Sequence, residues 1–140
     1  MTPDDLQALR AYPHFPQGAS DLIELVGLAA AARLITAFSG QVIPVPVAYG
    51  GTTQGRRNWE RIVHLIGEQA AGLLSVNYGG EKLYVPSCKI VMAQHKKERI
   101  CATFDHLINE RAYSTNDAAF EVGLLFNCTG RYVEHIVNGR

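Results

Sequence analysis

Residues 129–138, Thr-Gly-Arg-Tyr-Val-Glu-His-Ile-Val-Asn, hold the side chains best suited to gripping a polyanion. Arg131 can fork onto a guanine edge or a phosphate. Tyr132 can meet a phosphate or a thymine methyl, and His135 can donate to either. Thr129 and the amides behind it suit a phosphate at a helix N-terminus. Together with Asn138 these residues fall on or near one helical face, with Val133, Ile136 and Val137 on the other. A second basic set, Lys96, Lys97 and Arg99, stands beside His95 and a single acid, Glu98. The ordinary meaning of such a run is a solvated helix face, and it gains weight only beside a second cationic surface.

Other chemistry finds little support. His14, His64, His95, His106 and His135 are scattered, and Cys101 and His106 lie five apart on a predicted helix, which puts them on different faces. No carboxylate pair is set against an apolar pocket signature. We therefore expect no enzyme, no cofactor and no metal site. Gly50 and Gly55 have the glycine spacing of a phosphate-binding loop, after a strand and before a helix. But Arg56 stands where that loop needs lysine, and Arg57 where it needs Ser or Thr for magnesium. Tyr49–Arg57 reads instead as a flexible basic linker. The three cysteines, Cys88, Cys101 and Cys128, form no C-x-x-C, which suits reduced thiols in a cytosol.

The elements that must position the polyanion-binding residues read as a helix-turn-helix over 116–137. Asn116–Phe126 and Gly130–Val137 are the helices. Gly123 lets them cross closely, Asn127 tolerates a left-handed backbone in the turn, and Thr129 caps the second helix. Ahead of them a long helix runs from a Ser87 cap to about Asn109. Its first half is basic and its second half amphipathic, through Ile100, Cys101, Phe104, Leu107 and Ile108.

The middle of the chain repeats itself at an offset of forty residues. Leu25 falls on Leu65, Gly27 on Gly67, and Ala30 and Ala31 on Ala70 and Ala71. Leu34 falls on Leu74, Gly40 on Gly80, and Val45-Pro46 on Val85-Pro86. Phe38 matches Tyr78. Shared glycines and shared apolar periodicity at one offset point to an internal duplication. Each copy, 20–48 and 58–86, reads as two helices broken at a glycine, a Gly turn and a short strand. Ser20 is expected to cap the first copy, and Val42–Ala48 to form an edge strand or a poorly regular one, since Pro44 and Pro46 donate no ladder bond. Leu25, Leu34, Phe38, Leu65, Leu74, Tyr78 and Tyr84 are the expected core and dimerisation residues. The reading is thus mostly α with a small β element: an N-terminal helix and turn over 1–19, with Thr2 and Pro3 at its start, the duplicated core over 20–86, and a DNA-binding region over 87–140.

Bulk properties set limits. The chain has 140 residues and zero formal net charge, which gives no support to strong nonspecific binding of nucleic acid. Residues 87–140 hold seven Lys/Arg against six Asp/Glu. Met1-Thr2-Pro3-Asp4-Asp5 opens acidic, unlike a signal peptide, and the longest apolar run, Leu25–Ala32, is too short to span a bilayer. The expectation is a cytoplasmic protein of a bacterial host cell, away from membranes.

A helix–helix unit closing on Tyr78-Gly79-Gly80-Glu81-Lys82-Leu83-Tyr84-Val85-Pro86, then a basic helix, then a helix-turn-helix, resembles the Mor transcription activator family of Mu-like phages. The resemblance covers Glu60–Val137 and is most specific in Tyr78–Pro86, behind the helix end Leu65-Ile66-Gly67-Glu68. It implies a dimerisation domain followed by a helix-turn-helix that enters the major groove, in a protein that recruits RNA polymerase to phage promoters. Phe126–Val133 would fill the turn and the start of the recognition helix. The chain departs from that pattern in having two copies of the dimerisation unit. Residues 21–46 can pack on 61–86 within one chain, as a pseudo-dimer, or between chains in a domain-swapped homodimer. Gly130 also weakens its helix by about 1 kcal/mol relative to alanine. The expected function is a phage- or prophage-type transcriptional regulator on duplex DNA. The alternative is a protein-interaction module, an inhibitor or co-regulator of a host or phage protein, on the same scaffold.

Overall fold

The structure, a computed structural model, describes residues 1–47 and 51–140. They form seven helices and one two-stranded antiparallel sheet, so the chain is mostly α with a small β element. Two compact units are present, Met1–Val91 and Met92–Arg140. The division falls inside a helix, a few residues beyond the boundary expected after Pro86.

In the first unit, α1 (Pro3–Leu9) opens with a reciprocal cap. Thr2 Oγ1 accepts from the Asp5 amide and Asp5 Oδ2 accepts from the Thr2 amide, both at 3.1 Å. Leu6 and Leu9 are buried in the unit's core. Helices α2 (Gln17–Val26) and α3 (Leu28–Phe38) are separated by Gly27 at φ 89°, ψ 166°. Helix α4 (Thr53–Tyr78) is interrupted by Gly67 at φ 88°, ψ 165°. That backbone region is essentially closed to residues with a Cβ. Strand β1 (Val42–Pro44) pairs antiparallel with β2 (Lys82–Tyr84), with Ile43 opposite Leu83.

The backbone hydrogen bonds around this sheet come in pairs. Gly40 N–H donates to the Val85 carbonyl and Gly80 N–H to the Val45 carbonyl, both at 2.9 Å. Val85 N–H donates to Gln41 O at 2.8 Å and Val45 N–H to Glu81 O at 3.0 Å. Each bond becomes its mate when forty residues are added to one partner and subtracted from the other. Burial follows the same exchange. Leu22 and Ile62, Ala31 and Ala71, Leu34 and Leu74, Ile43 and Leu83, and Val45 and Val85 are all buried in one core. The alanines leave room for α3 and α4 to approach each other.

Several expectations need correction. Ser20 is no cap. Helix α2 starts at Gln17 behind Pro16, whose carbonyl already accepts from Ala19 and Ser20, and this places Ala19 and Leu22 in the core. β1 ends at Pro44 because Pro44 and Pro46 bring no amide to a ladder; Ala48, Tyr49 and Gly50 lie outside the described residues. The expected linker is helical from Thr53. Thr52 Oγ1 takes the Gly55 amide at 3.0 Å, so Gly55 lies in the first turn of a helix and not in a loop. The second copy's helix thus starts ahead of Asn58, and buried Asn58 accepts from Gln54 one turn earlier at 3.2 Å. The long helix, α5 (Lys89–Asn109), starts two residues beyond Ser87, after Cys88 at φ 53°. Tyr84 is 57% exposed. With Leu83 facing the core, strand alternation sends Tyr84 to the outer face of the sheet. Of the other expected core residues, Leu34 and Leu74 are fully buried, and Leu25, Phe38, Leu65 and Tyr78 pack against the core partly buried.

Replacing Gly27 or Gly67 with alanine tests the glycine constraint. A Cβ at either position meets nothing within 4 Å, so the cost is backbone strain alone. We expect each change to lower stability by about 1–3 kcal/mol in urea denaturation. Gly72→Ala, at an equally open site inside α4, should be neutral or stabilise by up to about 1 kcal/mol.

Candidate nucleic-acid interface

The second unit is built from α5, α6 (Thr115–Leu125) and α7 (Gly130–Asn138) around its own small core. Ile100, Phe104, Ala118, Ala119, Val122, Val133 and Ile136 are buried in it. α6 begins one residue earlier than the sequence suggests, because the Ser114 hydroxyl takes the Asp117 amide at 3.1 Å. α6 and α7 are joined by a tight turn. Cys128 N–H donates to the Gly123 carbonyl at 2.9 Å, and Asn127 sits at φ 54°. A Cβ on Gly123 would lie 2.7 Å from the Cys128 carbonyl oxygen, so only glycine lets the turn fold back onto α6. At Gly130 the nearest atoms would be 3.6 Å away, and alanine would fit.

This turn aims the candidate side chains. Val133 and Ile136 are buried and Val137 is partly so, which leaves Arg131, Tyr132, His135 and Asn138 exposed on the other side of α7. Thr129 is exposed, but its hydroxyl is committed to the Tyr132 amide at 3.0 Å. What the helix start offers an anion is the amides of Gly130 and Arg131, which have no partner within the helix by construction.

The basic run on α5 divides. Lys97 lines an open cleft of about 550 Å³ with Tyr132 and His135, over a floor that includes Cys101 and Ile136. Arg99 turns elsewhere, its guanidinium 5.2 Å from the centroid of the Phe126 ring, where it packs on the turn. Lys96 is exposed but does not line the cleft, and neither do Arg131, Asn138 and Thr129. Glu98 lies in the same cleft and reduces its positive field. The unit as a whole carries as many acids as bases.

Two features here were not legible in the sequence. Arg140 makes a two-pronged pair with Asp105, with Nη1 and Nη2 each 2.7 Å from a carboxylate oxygen. It also lines the cleft and ties the region after α7 to α5. Nothing in a spacing of 35 residues announces such a pair. Arg99 on Phe126 was equally hidden. Hydrogen bonds from Arg140 hold the Asp105 carboxyl below its ordinary 3.8. Burial pushes the Cys88 thiol of the first unit above its ordinary range. Among the described residues, no group of three or more His, Cys, Asp and Glu side chains could hold a metal ion. No helix among them is long and apolar enough to cross a membrane. Comparison of the chain with protein-family models, curated proteins and solved structures found no match.

Two outcomes check the geometry. Gly123→Ala should destabilise the second unit by about 1–3 kcal/mol. Gly130→Ala should leave it unchanged or stabilise it by up to about 1 kcal/mol, with amide exchange in α6 and α7 as the measure. The Asp105 pair stabilises the fold above the ordinary carboxylate value, and this contribution is lost as pH falls through the lowered one. Asp105→Asn should therefore lower the neutral plateau of the pH–stability curve slightly and flatten its acid limb below 3.8 by the same small amount, leaving stability at the acid end unchanged.

Proposed function

We propose that this protein is a phage- or prophage-type transcriptional regulator that binds duplex DNA through α6 and α7, acting as a helix-turn-helix. The observation that carries the reading is the glycine-packed turn before α7. It holds Arg131, Tyr132, His135 and Asn138 on the exposed face of a short helix whose opposite face is buried. A helix of that kind fits the major groove, with its first residues toward base edges. In this reading Arg131 and His135 read bases or phosphates, and Tyr132 supports them. Lys97 adds a phosphate contact from α5, while the Gly130 and Arg131 amides receive another. The resemblance to the Mor family supports the same assignment and suggests activation through contact with RNA polymerase. The paired hydrogen bonds at the forty-residue offset support a duplicated unit derived from that family's dimerisation domain.

A second reading, a protein-interaction module, is favoured by one observation. Phe120, Leu124 and Leu125 are each more than 60% exposed on α6. Apolar residues so placed suit a protein partner better than a phosphate backbone.

Titration of random duplex DNA at two salt concentrations separates the two. Wild type should bind weakly, with affinity falling as salt rises. Lys97→Ala should lower the slope of log K against log salt by about one. Arg131→Ala should cost about 1–3 kcal/mol on a selected site. No binding at low salt would defeat the DNA reading. Loss of partner capture in a Phe120→Ser/Leu124→Ser variant would favour the other.

A further inference from the structure

The first unit already contains what a helix-turn-helix protein usually obtains by dimerising. In a symmetric dimer, one surface of each subunit meets the same surface of its mate, so every contact occurs twice with its partners exchanged. Here the exchanged contacts lie inside one chain. Gly40 to Val85 is matched by Gly80 to Val45, Val85 to Gln41 by Val45 to Glu81, and Ile43 faces Leu83 at the centre. Gly27 and Gly67 share one unusual backbone conformation to within a degree. The inward residues of the two copies, Leu34 and Leu74, Ile43 and Leu83, and Val45 and Val85, are buried against each other, while Val42 and Tyr84 stay exposed on the outer face of the sheet.

Among the described residues the reading helices are not doubled. After β1 ends at Pro44, α4 starts at Thr53. The intervening residues are too few for a hairpin as long as Thr115–Asn138. So the first copy is followed directly by the second, and only the second is followed by α5, α6 and α7.

We infer that the protein is a closed pseudo-dimer with one reading head, whose DNA target is a single asymmetric half-site. This rests on the DNA reading of α6 and α7. Dimeric helix-turn-helix proteins span two half-sites about one helical turn apart, and the inverted repeat in their operators mirrors the protein's twofold axis. A chain whose twofold contact is satisfied internally, with one head, imposes no such repeat. Its target is one major-groove segment, read by Arg131, Tyr132 and His135. A short site and few phosphate contacts also mean modest affinity and a shallow salt slope.

The test combines a crosslink with a stoichiometry. Val42 and Tyr84 face each other directly across the two strands and are both more than half exposed. They fall between hydrogen-bonded pairs, where Cα atoms approach closely enough for a disulfide. The 140-residue chain carrying Val42→Cys/Tyr84→Cys should oxidise to a species that runs as a monomer on a non-reducing gel, with the peptides linked between positions 42 and 84 confirmed by mass spectrometry. Wild type bound to duplexes recovered by in vitro selection should show one chain per duplex by native mass spectrometry. The selected sequences should share a short motif with no inverted repeat. A covalent dimer whose linked peptides join position 42 of one chain to position 84 of another would overturn the closed core in favour of a swapped homodimer; links through Cys101 or Cys128 are told apart by the same peptide map. Two chains on an inverted repeat would overturn the single head. A protein that crosslinks within the chain but binds no duplex would defeat the DNA reading, and with it the half-site, while upholding the closed core.

Discussion

The first unit depends on the exchange of backbone hydrogen bonds between β1 and β2. Three residues per strand make a poor sheet, and a lone pair of such strands in water would be marginal. It holds because both strands are fixed at each end. Gly40 and Gly80, both at positive φ, turn the chain after α3 and α4 and deliver their amides to the opposite strand. The strands in turn place Ile43, Val45, Leu83 and Val85 beneath the helices. Removing either glycine turn would disturb hydrogen bonding and burial together, because the same residues set both.

The second unit is governed by a different constraint, the close approach of Gly123 to the Cys128 carbonyl. Its buried core is small, so its order depends on a few tight features: two hydroxyl caps at Ser114 and Thr129, the left-handed Asn127, and the two-pronged Arg140–Asp105 pair. These are directional interactions, and they orient α7 more than they stabilise it. The exposed face of α7 inherits its direction from them. The cleft that gathers Lys97, Tyr132 and His135 also holds Glu98. A polyanion would therefore meet a mixed field there, with positive charge confined to a few side chains.

The sequence made part of this legible, and the reason differs from residue to residue. Gly27 and Gly67 stood out because a glycine inside an apolar helical pattern has few uses besides a break. Thr2, Thr129, Asn127 and Gly123 were readable because caps and left-handed turns depend on local chemistry. Ser20 misled for the same reason. It looked like a cap, but the burial of Ala19 and Leu22 pulled the helix start back to Pro16. Tyr84 misled because an aromatic residue near the end of a strand suggests burial, whereas its face was set by Leu83 pairing with Ile43. The helical start at Thr53 was hidden by the glycines around it. Of the candidate site, the residues on α7 were recoverable from helical spacing. That only Lys97 of the basic run shares a cleft with Tyr132 and His135 was not, since this follows from packing between segments distant in sequence.

Joining β1 and β2 in a single chain also changes how the fold responds to dilution. Separate subunits associate by mass action, so a dimeric core melts sooner as its concentration falls. Here the two strands are tethered by the chain between Pro44 and Lys82, most of which is α4 itself. A tether within one chain sets an effective concentration that does not depend on the number of molecules in the cell. In the closed pseudo-dimer the core has no assembly threshold. A few copies per cell would be as well folded as a few thousand.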